Sequence, residues 1–406
     1  MSAGDRADLV VVGAGTIGAW AAVFARERGA GRVVVVDRGL VGQGASSRAG
    51  GVVRQQGGTP DTVRLGVESV AFYRSQRERY GTDSGFRELG YVIMAGSAAE
   101  ERAARERVAM QQATGLDVRW EDAEGLRRRN PTLGERGFRG GTYVATDGCI
   151  DPPRNVQASA IAMHRTGVEL RERTTFTGLR TRRGRGGSTV VTGVETSAGT
   201  IATQRVLLTG GPTLREVAAI AGARALVGAA RHQVAVSQPH PAFDVERLPM
   251  MFDLAAGLYW RLEQGGLLWG MSNPRETPGP AAELDMRYLR TMRRRLARFV
   301  PVTAELGIRA MWAATIEYTP DHLPLLGPLV RRDGNEVAGA SIASACGHGM
   351  MWGPAVSRIA TDLALEGRTD IVERVEDLRM DRFDARGRSP LSDPVALPFP
   401  VVIDGD

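Results

Sequence analysis

Three glycines and one acid carry the first recognisable chemistry in this chain. Leu9-Val10-Val11-Val12 runs into Gly13-Ala14-Gly15-Thr16-Ile17-Gly18, helical spacing continues to Arg28, and Val33-Val34-Val35-Val36 ends on Asp37. Strand, glycine turn, helix, strand, acid is the order that builds a pyrophosphate and ribose site. Gly13 permits the tight turn, Gly15 lets backbone approach phosphate, and Gly18 lets the helix close on the strand. The helix N-terminus offers free N–H groups and a positive dipole end to an anion. Asp37 can accept from a ribose hydroxyl. A glycine-rich core turn is the bland alternative, and the flanking strands and the acid in register argue against it. A membrane span over 9–25 is excluded by its glycines.

The elements around this motif set the fold class. Residues 63–80 have helical spacing, 87–94 read as a strand, and 98–114 as a charged, exposed helix. Residues 140–150 read as strand and turn, and Asp151-Pro152-Pro153 opens a helix to Arg165. Short strands are predicted at 168–170, 174–180 and 189–196, with residues 182–188 as an exposed hairpin tip. A buried strand is predicted at 205–211, antiparallel structure over 234–236, 258–261 and 267–271, a helix over 284–299, a strand at 337–341 and a helix over 353–366. The proline-rich stretch 389–400 is expected to wrap the surface. The βαβ pattern at the start is thus interrupted by strand-rich segments, unlike a continuous nicotinamide-type fold.

Composition narrows the chemistry. The 406 residues suit two domains with sizeable cores. The polar start, Met1–Asp8, and a count of two cysteines lead us to expect a cytoplasmic protein without a leader or disulfide framework. The chain has no lysine, so all 52 basic residues are arginine. Schiff-base and P-loop chemistry are therefore excluded. Runs such as Arg127–Arg129 and Arg293–Arg295 alternate with 46 acids, so they read as solvated surface rather than a nucleic-acid site. His164, His232, His240 and His322 lack metal-ligand spacing and read as structural; no metal is expected.

The chain resembles the D-amino-acid oxidase and sarcosine oxidase family of FAD-dependent amine oxidoreductases. Three blocks carry the resemblance: Val10–Arg54 with its Gly44-Ala45-Ser46-Ser47-Arg48-Ala49-Gly50-Gly51 loop, Thr319-Pro320-Asp321 through Pro328, and Ala345-Cys346-Gly347-His348-Gly349-Met350-Met351-Trp352-Gly353-Pro354. It implies an α/β fold, α+β overall, with a Rossmann-like FAD-binding domain interleaved with an antiparallel-sheet substrate domain. The cofactor domain is expected at 1–84, 141–222 and 319–385, the substrate domain at 85–140 and 223–318, and a tail at 386–406.

By the same resemblance FAD would meet Gly13, Gly15, Thr16, Ile17 and Gly18, then Asp37 and Arg38. Ala45, Ser46, Ser47, Ala49, Gly50 and Gly51 would run beside the pyrophosphate and the flavin edge. Phe176 would offer backbone to the adenine, with Gly210 closing the fold nearby. Cys346, Gly347, His348, Gly349 and Met350 would pass the flavin ring, with a helix N-terminus aimed at its pyrimidine end. Ala314 stands where covalent members carry cysteine, and the 46–54 loop has no histidine, so noncovalent FAD is expected. Leu268 stands near the family's oxygen-activating lysine and Met351 at its substrate-binding lysine. Both departures count against oxidase chemistry and simple sarcosine specificity.

Four side chains are the expected catalytic set. Arg54 matches the family's carboxylate-binding arginine and can bind a carboxylate in a fork, against a structural ion pair. His348 can hydrogen-bond flavin or substrate, or promote oxygen reactivity if protonated, against merely ordering its loop. Tyr259 and Arg261 alternate on one strand and share a face, against a rim role. Gln55 is a weaker candidate, Cys346 reads as a small hydrophobe, and Trp269, Met311, Trp312, Met350, Met351 and Trp352 as pocket or plain core. The expected reaction is oxidation of a C–N bond in an amino acid or a secondary or cyclic amine, with oxygen or another electron acceptor. The alternatives are 2-hydroxy-acid oxidation and a flavin-bearing subunit of a hetero-oligomeric dehydrogenase. Self- or hetero-assembly is left open; nucleic acid and membrane are not expected partners.

Overall fold

The computed structural model describes residues 5–281 and 283–396. Its centre is a nine-stranded sheet in the order Phe176–Arg183, Thr189–Thr196, Glu336–Ser344, Val206–Leu208, Leu9–Val12, Val33–Val36, Glu169–Arg171, with Gly199–Ala202 and Leu325–Val330 paired alongside. The five strands from Thr189–Thr196 to Val33–Val36 pair in parallel, and Glu169–Arg171 extends them. Both faces of such a sheet must be covered, which explains the unbroken valine runs. Period-two alternation sends Leu9, Val11, Val33 and Val35 into one apolar cluster with Trp20 and Phe24. Val10, Val12, Val34 and Val36 enter another with Phe176 and Leu214.

The helix Thr16–Glu27 buries its first ten residues against this sheet. The helix Gly353–Glu366 lies beside it: the Ser357 hydroxyl donates to the Ile17 carbonyl at 2.9 Å and the Thr361 hydroxyl to the Ala21 carbonyl at 3.0 Å. A Cβ on Gly353 would lie 3.4 Å from Thr16 Cγ2. The two helices therefore begin side by side, at the edge where the central sheet's parallel strands end.

A second sheet of eight strands runs Ile308–Tyr318, Gly228–Ser237, Gly266–Ser272, Leu258–Glu263, Met250–Asp253, Tyr91–Ala95, Gly140–Val144, Arg119–Asp122. Its pairings are antiparallel except for Met250–Asp253 on Tyr91–Ala95. The helix Met286–Phe299 packs its Leu289, Met292, Leu296 and Phe299 into the core beneath it. A small third sheet joins Val52–Val53, Gly148–Cys149 and Arg87–Glu88. Among the described residues no helix is long and apolar enough to cross a membrane.

Three expectations are corrected. The strand expected over 87–94 is two, Arg87–Glu88 and Tyr91–Ala95, with Gly90 at φ +81° between them. The expected boundary at 141 cuts the strand Gly140–Val144, which belongs to the second sheet because it pairs with Tyr91–Ala95. The proline-rich tail does not simply wrap the surface: Asp393 and Val395 are buried. Residues 397–400 of that stretch lie outside the described residues.

Candidate functional site

A cavity of about 970 Å³ begins at the glycine turn and ends against the second sheet. The turn is as tight as its sequence demands. Gly13 takes φ +105°, and a Cβ there would lie 2.7 Å from the Thr209 carbonyl oxygen. A Cβ on Gly18 would overlap the Gly13 carbonyl oxygen. Thr16 donates its backbone N–H to Ser46 Oγ at 2.9 Å, so the small-residue loop is moored on the helix N-terminus. Asn155 braces the turn from behind, donating to Thr16 Oγ1 at 2.9 Å and accepting from Trp20 at 3.2 Å. Asp37 accepts from the Ala14 and Gly39 amides at 2.7 and 2.8 Å. Each carboxylate oxygen keeps a further lone pair for a ligand hydroxyl.

Most expected cofactor positions converge here. Gly13, Gly15, Thr16, Ile17, Asp37, Arg38, Ala45, Ser46, Ala49, Gly50, Gly51, Phe176, Gly210, Gly347, His348, Gly349 and Met350 all line the cavity. Gly18 and Ser47 do not: Gly18 is the packing contact behind the turn, and Ser47 ends a short 3-10 turn, Ala45–Ser47. Cys346 also lies off the cavity. It takes φ +52°, is fully buried, and its Sγ accepts from the Thr319 amide and hydroxyl at 3.2 and 3.1 Å. Burial pushes its thiol up to about 12, which suits a structural turn residue.

The inner end of the cavity gathers Arg54, Tyr91, His232, Phe252, Tyr259, His348 and Met351. Arg54 is 3% exposed. Its guanidinium lies 5.1 Å from the Phe252 ring centre and 5.9 Å from that of Tyr91, and its Nη2 donates to the Val395 carbonyl. Its Nε has no partner among the described residues, and no carboxylate pairs with it there. The structural ion pair weighed for Arg54 is thus absent from the described contacts.

Two histidines sit in this chamber uncharged. His348 lies in the turn before the helix Gly353–Glu366, its ring 4.4 Å from Trp352, with Nδ1 buried and without a partner among the described residues. Burial, helped by the charge of Arg54, pushes it down to about 3. Held neutral, His348 does not meet the condition of protonation on which its oxygen-promoting role depends. His232, expected to be merely structural, lines the cavity and joins Ser272 Oγ at 2.9 Å to the Tyr259 hydroxyl at 2.8 Å. Burial pushes it down to about 4. The same burial raises the Tyr259 phenol above its usual range. Gly270 makes the pairing geometrically accessible: it faces Tyr259 across the ladder, and a Cβ there would overlap the phenol oxygen.

Arg261 does not reach the cavity. It donates from Nε to the Gly50 carbonyl at 3.1 Å and pairs with Glu263, clamping the loop from outside. Gln55 turns away to Asp147, donating from both its amide and its side chain. Asp147 is pushed up to about 6 by burial. Trp312 is tied to the loop through the Arg48 carbonyl at 2.8 Å, and Trp269 is core of the second sheet.

The family model described as FAD dependent oxidoreductase matches residues 8–363. The chain belongs to that family. It is 29% identical over 324 residues to the 4-methylaminobutanoate oxidase (formaldehyde-forming) of Paenarthrobacter nicotinovorans, covering 77% of this chain and 38% of that protein. It is 27% identical over 371 residues to the glycine oxidase of Geobacillus kaustophilus, covering 88% of this chain and 93% of that one. Among solved structures, L-proline dehydrogenase from P. horikoshii superposes with a TM-score of 0.82 at 24% identity, over 91% of this chain and 96% of that chain. The chain spans less than half the length of the first curated relatives it matches.

The residues present fit the family's cofactor. The glycine turn leaves no side chain where a pyrophosphate must lie, a helix N-terminus faces that space, and Asp37 stands at the second strand's end for a ribose. Sequence reasoning missed Thr209, His232, Phe252 and Tyr91 as lining residues. Of these, only Thr209 carried a local signal, since it precedes Gly210-Gly211 at the end of a buried strand.

Proposed function

We propose that this chain oxidises a C–N bond in an amine that carries a carboxylate, such as an amino acid or a secondary or cyclic amino acid. The observation that carries this is Arg54: a buried cation without an ion pair among the described residues, at the inner end of a cavity that fits FAD. The buried carboxyls of Asp147 and Asp393 act on this charge only at longer range; a buried charge is costly, and a ligand carboxylate taken in a fork offsets that cost. The names of the matched oxidases and dehydrogenases agree with amine or amino-acid substrates.

In this reading the central sheet's half holds the cofactor and the second sheet supplies the substrate wall. FAD, when bound, accepts the hydride equivalent lost from the carbon next to nitrogen. Arg54 fixes the carboxylate and so the orientation of that C–H bond. Tyr91, Phe252 and Met351 exclude water around it. Tyr259, held by His232, directs a hydroxyl toward the amine, and neutral His348 lines the cavity wall nearby. The substrate gives up two electrons and two protons and leaves as an imine, which water hydrolyses unless it is cyclic. The cofactor is held without a covalent bond: Ala314 lines the cavity, and neither cysteine does. Electrons pass onward to oxygen or to another acceptor.

The test is anaerobic bleaching of the purified flavoprotein by amines, amino acids and 2-hydroxy acids. Bleaching by carboxylate-bearing amines is expected. Bleaching by hydroxy acids alone would overturn the C–N assignment.

A further inference from the structure

Arg54 is held in place by a segment from the far end of the chain. Arg54 Nη2 donates to the carbonyl of Val395, a residue fully buried among Leu89, Tyr91, Cys149 and Phe252. The segment Asp393–Val395 is anchored at several points. Asp393 donates its amide to the Asp321 carbonyl at 3.1 Å, and Val395 donates to Asp393 Oδ1 at 2.8 Å. Asp321 is itself locked by a buried pair with Arg382, at 2.7 and 3.0 Å. Gly58 gives the segment room: a Cβ there would overlap the Asp393 carboxyl and come within 2.5 Å of Pro394 Cδ.

We infer that Asp393–Val395 is part of the substrate site, a strap that holds the Arg54 guanidinium in its orientation at the cavity wall. A guanidinium carries five N–H donors in a fixed fork. The Val395 carbonyl engages Nη2, the Phe252 and Tyr91 rings flank the charge, Nε is buried without a partner among the described residues, and Arg54 lines the cavity. The Val395 carbonyl orients the fork, and the buried Asp393 carboxyl of the same strap acts on its charge without a direct ion pair among the described residues. The strap residues are positioning residues: Val395 and Asp393 do not line the cavity themselves. This rests on the reading of Arg54 as the carboxylate anchor.

The experiment uses the holoprotein and reads binding rather than turnover. Acetate, propionate and benzoate are titrated against the flavin absorption spectrum, with acetamide, propionamide and benzamide as uncharged controls. Four proteins are compared with the wild type: the chain ended after Ser392, the chain ended after Ala396, Gly58→Val, which wedges the strap without altering it, and Arg54→Met. Ending after Ser392, or Gly58→Val if that chain does not fold, is expected to raise the carboxylate Kd about tenfold, the scale of a lost orienting hydrogen bond to a charged group. Amide binding and flavin content are expected to stay as in the wild type, as is all binding in the chain ended after Ala396.

An unchanged carboxylate Kd would overturn the inference, and so would equal losses for acids and amides, which mark general loosening. A lower Kd would make the strap a plug and overturn it too. A loss already present after Ala396 would place the effect outside the strap. If Arg54→Met abolishes carboxylate binding while the strap variants bind normally, the strap fails and the Arg54 reading stands. If Arg54→Met binds carboxylates as the wild type does, the Arg54 reading itself fails.

Discussion

The two ends of the cavity are built on different principles. At the cofactor end, backbone does the work: a glycine turn, two adjacent helix N-termini and a small-residue loop moored to one of them leave space for a ligand. At the inner end, where we propose the substrate binds, side chains form the wall, and they come from far apart: Arg54, Tyr91, His232, Phe252, Tyr259 and His348, with Val395 behind them. The first arrangement serves a ligand whose phosphates and sugars are constant. The second is held by long-range contacts, so substitutions there can change the substrate while the cofactor stays in place. Fold and function are separable in this way because function resides in the site.

The largest effect is expected at the backbone end. Gly18→Ala puts a methyl against the Gly13 carbonyl; it should cost about 1–3 kcal/mol, the usual scale of overpacking, and release FAD. Thermal melting and the flavin-to-protein ratio check both parts. An unchanged flavin content would break the comparison, since the cofactor end would then tolerate a side chain.

At the substrate end, Arg54→Met should raise KM for carboxylate-bearing amines by about 100-fold or more, within the 2–5 kcal/mol typical of truncating a buried charged partner. Flavin content should not change. Steady-state kinetics on acids and their esters measure it, and equal losses for both would remove Arg54 from carboxylate recognition. Tyr259→Phe should act more mildly, lowering kcat/KM about three- to tenfold because it removes one hydrogen bond and leaves His232 Nε2 unpaired.

A separate effect is in pH dependence, and its sign is fixed by burial. His348 and His232 are held down to about 3 and about 4, against an ordinary 6.5. The unfolded chain therefore binds their protons first. Each contributes stability that is complete above pH 6.5 and lost as pH falls toward 3–4, by at most about 1.4 kcal/mol per pH unit per group. Asp147, pushed up to about 6, acts oppositely, its contribution falling as pH rises from 3.8 to 6. His348→Asn should flatten the acid side of a melting-temperature profile. Neither histidine should produce an inflection in kcat/KM between about pH 5.5 and 8. An inflection abolished by His348→Asn would contradict the neutral assignment.

The contrast also explains what was legible in the sequence. The cofactor end lies in local patterns: valine runs, glycine spacing and an acid at a strand end, whose consequences follow within a few residues. The substrate end depends on register and reach. Tyr259 and Arg261 share a strand face, yet only Tyr259 enters the cavity, because Gly270 leaves its ring an opening toward His232 while Arg261 is drawn to the Gly50 carbonyl and Glu263. No spacing rule announces that His232, two positions before Val234, shares a face with a tyrosine on a non-adjacent strand. The Arg54–Val395 contact joins residues 341 apart in sequence, which no local periodicity encodes. The proline-rich tail reads as surface by composition and is buried at Val395 because an aromatic wall and an arginine require it there.

The most direct test of the central claim is anaerobic reduction of the bound flavin by single compounds, followed by absorbance. Secondary or cyclic amino acids should bleach the spectrum in the wild type, with the saturating concentration shifted upward in Arg54→Met. Reduction by 2-hydroxy acids alone, or equally well by amines that lack a carboxylate, would contradict the account.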